Sequence, residues 1–152
     1  MSEHLRTLFP GLRTTSFRIT SPPDRKYNCI AWAANDASDW WWPAGTAPDA
    51  VWPGSAAREV TLRAFTAAFL SIGYVVGGDE SLEPGFEKVA LFADAAGMPT
   101  HAARQRPSGA WTSKLGIAED IEHDLHALDS TDHSQVSAPP PAAFRRLAAP
   151  AV

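Results

Sequence analysis

The residue of this chain with the clearest chemical potential is its only cysteine, Cys29, within the stretch YNCIAWAAN at residues 27–35. Asn28 is a good N-cap, since its side chain can accept a hydrogen bond from a free first-turn amide, and Ala31, Ala33 and Ala34 favour helix after it. Cys29 is therefore expected in the first turn, where unpaired backbone N–H groups and the helix dipole favour thiolate. A thiolate there is a nucleophile. The competing reading makes Cys29 a small buried hydrophobe between Ile30 and Trp32. A cysteine nucleophile needs a base, and the candidates are His4, His101, His123, His126 and His133. His101 stands out, because PTHAARQ reads as a strand whose small residues leave room for a helix to approach.

These residues must be positioned by the elements around them. Residues 1–26 have little periodicity, yet Leu5, Leu8, Phe9, Leu12 and Phe17 suggest a segment packed on the body. Ser21-Pro22-Pro23-Asp24 breaks the chain before the cysteine helix, which is expected to end near Asn35 or Asp36. Residues 39–57 hold Trp40, Trp41, Trp42 and Trp52 among prolines and glycines, and read as an ordered aromatic loop. The tryptophans could stack on a sugar or peptide, with Trp41 and Trp42 as contacts. Burial over the core is the more ordinary fate of large aromatics and is the expectation here. Leu62, Phe65, Phe69 and Ile72 lie on one helical face, with Thr61 as N-cap and Gly73 as stop. Runs at 88–94, 100–106 and 110–115, separated by Gly97-Met98-Pro99 and Pro107-Ser108-Gly109, predict a three-stranded antiparallel meander. Ile117, Ile121, Leu125 and Leu128 return to helical spacing. One domain over residues 1–128 follows, with an Ala/Pro-rich tail at 129–152 expected to be disordered.

At 152 residues, 45% hydrophobic and 20% charged, the composition is that of a globular domain with a core. A formal charge of −4, without a dense Lys/Arg run, argues against nucleic acid or an anionic membrane as partner. A single cysteine permits no internal disulfide. Residues 1–17 lack the apolar core of a signal peptide and no stretch approaches a membrane span, so the expected location is the cytoplasm, or outside after export without a cleaved signal.

A helix-start cysteine followed well downstream by a strand histidine resembles the papain-like cysteine hydrolases, and more narrowly the NlpC/P60-like amidases and related bacterial toxin-type domains. The series YNCIAWA, WWWP, EKVALFAD, THAARQ and WTSKLG also resembles an uncharacterised bacterial family, over roughly residues 24–126. The resemblance implies an α+β fold in which an N-terminal helix carrying Cys29 packs on a small antiparallel sheet, with further helices. It also implies Ser113 as third member of the site when His101 is the catalytic histidine. In a second register Lys88 takes the histidine position and His101 the third. The first register keeps a base and is the one preferred. Whether Ser113 or Lys114 faces His101 depends on hairpin register, because a slip of one residue exchanges the faces.

The activity so implied is hydrolysis of an amide or thioester. His101 takes the proton of Cys29, the thiolate attacks the carbonyl, and water releases the acyl enzyme. The oxyanion would be held by the Cys29 N–H, helped by Asn28 or Tyr27, and Gln105, on the strand face of His101, could bind substrate while Arg104 points away. The partner would be a peptide, amide or glycopeptide. The rival function is a binding module without turnover, recognising a peptide, glycan or protein through the tryptophan loop. No cofactor or metal is called for: Asp120, His123 and His126 have helical spacing but form no recognised metal signature.

Overall fold

The computed structural model describes residues 3–13, 15–43, 50–77, 79, 81–115, 117–125 and 142–147. Its organising element is a seven-stranded sheet in which every neighbouring pair of strands is antiparallel. The strands are β1 (Arg18–Ser21), β2 (Val75–Val76), β3 (Phe86–Ala93), β4 (Pro99–Gln105), β5 (Trp111–Lys114), β6 (Asp120–His123) and β7 (Ala142–Leu147). Their order is β1-β6-β5-β4-β3-β7-β2. The helices are short: α1 (Glu3–Leu8), α2 (Cys29–Ala33) and α3 (Leu62–Ser71), with a 3-10 turn at Pro10–Arg13.

This β-rich architecture corrects the papain-like α+β expectation. Strand outweighs helix among the described residues and is gathered in one broad sheet, and the expected helix from Ile117 onward is strand β6. Its spacing of Ile121 and Leu125 suits a helix face equally well, but Asp120–His123 pairs residue for residue with β5. A short apolar run does not distinguish the two periods, and the neighbouring strand decides.

The meander is present as β3, β4 and β5. Its turns require φ values of +84° at Gly97 and +94° at Gly109, which glycine alone adopts without strain. The tail expectation needs a second correction. Residues 142–147 form β7, between β3 and β2, where Phe144 is buried against Phe69 with ring centroids 5.9 Å apart. Residues 129–141 and 148–152 lie outside the described residues.

Strand β3 reads Val-Ala-Leu-Phe-Ala over 89–93 and is buried throughout, because both faces of the sheet are covered. Val89, Leu91, Ala102 and Phe144 face α2 and α3, packing with Cys29, Ile30, Phe65 and Phe69. Ala90, Phe92, Ala103, Trp111 and Ile121 face α1 and the 3-10 turn, packing with Leu5 and Leu12. Among the described residues no helix is long and apolar enough to cross a membrane.

Candidate functional site

Asn28 caps α2 as its sequence predicts: its Oδ1 accepts the Ala31 N–H at 3.1 Å. The same oxygen accepts the Trp41 N–H at 3.2 Å, and its Nδ2 donates to the Trp41 carbonyl at 2.8 Å. Asn28 therefore ties the tryptophan loop to the helix start, and its amide is used there rather than at an oxyanion. Trp41 donates its indole N–H to Asp36, Trp42 packs edge-on against Phe65, and Trp52 is buried on the same ring. In these contacts the described part of the loop closes the core beside α3.

Cys29 is buried on the α2 face of the sheet. β4 and β5 pair only at Arg104–Thr112 and Gln105–Trp111, and beyond that ladder the Ala102 N–H is directed at the Cys29 sulfur, as are the amides of Ile30 and Cys29 itself. These donors favour a thiolate, as does nearby Lys114, but burial outweighs them and pushes the thiol up to about 11. Lys114, wholly buried, donates from Nζ to the Asp24 carbonyl at 2.6 Å and lies 4.9 Å from the Tyr27 ring centroid. Burial lowers its proton affinity, and Asp120, its β6 register partner, pulls the other way. Tyr27 donates to Asp120 Oδ2 at 2.7 Å, while Asp120 Oδ1 is buried without a hydrogen-bond partner among the described residues. The Tyr27 hydroxyl is thus committed to a carboxylate, not to an oxyanion.

His101 lies on the other face. Its ring is 5.5 Å from that of Phe92 and 6.4 Å from that of Phe9, and its Nε2 is buried with no hydrogen-bond partner among the described residues. Burial, with repulsion from His123 second, lowers its pKa to about 3, so the imidazole is neutral. Cys29 and His101 are not brought together: alternation along β4 sends Ala102 toward the sulfur and His101 away from it. Ser113 shares the His101 face, but its Oγ bonds to His123 Nε2 at 2.6 Å. His123 Nδ1 in turn donates to the Asp124 carbonyl at 2.7 Å, which leaves Nε2 of the neutral ring to accept from the serine. Ser113 is fully buried, so this serine–histidine pair joins β5 to β6 and offers no reachable nucleophile. Lys88, the alternative histidine position, donates to the carbonyls of Asp79 and Ser81 and braces that loop. Among the described residues no group of His, Cys, Asp and Glu could hold a metal ion.

An open cleft of about 550 Å³ lies beyond the C-terminal end of α2, bordered by Trp32, Arg104, Gln105, Phe86 and Leu82. The Arg104 guanidinium lies 4.0 Å from the Trp32 ring centroid and donates to Asn35 Oδ1. Trp32 Nε1 donates to Thr112 Oγ1 at 3.1 Å, and Thr112 donates to the Arg104 carbonyl at 3.0 Å. This closed circuit holds cation and indole in one orientation. Gln105 donates to the Gly109 carbonyl at 3.2 Å. Arg104, expected to point away from the site, is brought to Trp32 by a pairing that nothing local in the sequence reveals, since Asn35 and Arg104 are 69 residues apart.

Fold and site together define a β-rich domain with a pre-ordered cleft on one face of a single antiparallel sheet. The chain belongs to the family described as a domain of unknown function (DUF7689), whose model matches residues 18–138. No curated protein and no solved structure was found to match it.

Proposed function

We propose that this domain is a ligand-binding module whose site is the cleft at Trp32 and Arg104. The observation that carries the reading is the Trp32–Thr112–Arg104 circuit beside a cleft of about 550 Å³, a size within the range of small-ligand sites. Side chains locked before a ligand arrives lose little entropy on binding it. Hydrolysis by Cys29 draws less support: its proton is held by burial, and His101 is on the opposite face.

A magnetic resonance screen of the full chain against small aromatic and aliphatic compounds and short peptides tests the proposal. Ligand-induced shifts are expected to cluster on the Trp32 Nε1–H and the amides of Asn35, Phe86 and Arg104. Shifts confined to other surfaces, or no ligand at all, overturn it. An amide or thioester turned over by wild type and not by Cys29→Ser would replace it with the hydrolase.

A further inference from the structure

Resting on that binding reading, we infer that the cleft takes a carboxylate carried on an apolar group about the size of a phenyl ring. The argument begins with the charges around the cleft. Glu83 receives Arg145 Nη1 at 2.8 and 2.7 Å, and Glu87 receives Arg146 Nε at 2.6 Å, so both acids are already matched. Among the described residues Arg104 and Arg106 have no carboxylate within ion-pair distance. Among the described residues the cleft thus carries surplus positive charge, in a chain whose net charge is −4.

Arg104 is also prepared for an anion. One face of its guanidinium is covered by Trp32 and one N–H is taken by Asn35, so the remaining donors are held in a fixed fork. Burial disfavours its charge, and a planar carboxylate that accepts two parallel N–H bonds would relieve that cost. Trp32, Leu82, Pro84, Phe86 and Pro107 supply apolar walls. Between apolar walls a dianion costs more to desolvate than a monoanion, which selects a carboxylate over a phosphate.

Titration calorimetry of the full chain in about 0.1 M salt, near physiological screening, tests this with 3-phenylpropionate against 3-phenylpropionamide, Gly-Gly-Phe with free and amidated C-terminus, and phenyl phosphate. A free carboxylate is expected to bind about tenfold or more tighter than its amide. Preference for phenylpropionate or for the peptide identifies a free acid or a chain end as the source. Arg104→Gln should remove most of the difference between acid and amide. Arg106→Gln, at an exposed position and so without cost to folding, should weaken the acid alone. The inference is overturned if acid and amide bind alike, if phenyl phosphate binds more tightly, or if no acid binds. Equal binding of acid and amide with shifts at Trp32 leaves the cleft standing and removes only the carboxylate. Silence from every probe in both experiments removes both.

Discussion

Cys29 and His101 stand on opposite faces of the same strand: the Cys29 sulfur meets the Ala102 amide, while the His101 ring, one residue earlier, lies against Phe92 and Phe9. In a strand with side-chain period two, adjacent residues cannot serve one site on one face. The thiol and the imidazole are each held in their neutral form by burial rather than by one another.

Cys29 should therefore alkylate slowly. With its pKa at about 11 against an ordinary 9.0, the thiolate fraction at neutral pH is about a hundredfold below that of a free cysteine. Iodoacetamide labelling followed by mass spectrometry should show at least that deficit, and His101→Gln should leave the rate unchanged. A rate above free cysteine that falls in the His101 variant would restore the nucleophile–base pair.

Acid should destabilise the fold through His101. Above pH 6.5 the imidazole is neutral in both folded and unfolded chains. Below it only the unfolded chain takes the proton, so stability falls by up to ~1.4 kcal/mol per pH unit until the folded value of about 3 is reached. Urea denaturation between pH 4 and pH 7 should show a shallower slope in His101→Leu. Part of the slope should remain, because burial lowers His123 as well.

Lys114 and Asp120 should behave as a coupled pair. Lys114→Met removes the positive charge whose field reaches the buried Asp120 carboxylate, and should cost about 1–3 kcal/mol. Adding Asp120→Asn removes the uncompensated charge and should recover part of that loss. A double-mutant cycle by chemical denaturation measures the coupling, and additive losses would contradict it.

Strand β7 should be required for folding although it lies beyond the matched family region of residues 18–138. Phe144→Ala empties a buried ring site between β3 and α3 and should cost about 3–5 kcal/mol. A chain ending before Ala142 should lose its cooperative thermal transition, followed by circular dichroism.

The local elements were legible where the determinants were themselves local. Asn28 and Thr61 cap their helices with the bonds their side chains can make to nearby amides. The β3–β4–β5 meander follows from alternation and from glycines at the turns that need positive φ. The packing of half-buried Trp42 and buried Trp52 on Phe65 follows from the poor fit of large aromatics to water. Strands β6 and β7 were not legible, since Asp120–His123 lies in a run whose apolar spacing equally suits a helix and Ala142–Leu147 follows an Ala/Pro-rich stretch, and both take their conformation from the strands beside them.

What the sequence determined by itself was which short segments cap, turn and alternate, because those choices rest on bonds within a few residues. Only the tertiary structure decided which side chains share a site. The sheet places Cys29 with Lys114 and Ala102, His101 with Phe92, and Arg104 with Trp32. Strand order and register link residues many positions apart, and a change of one residue along β4 carries a side chain from one face of the protein to the other.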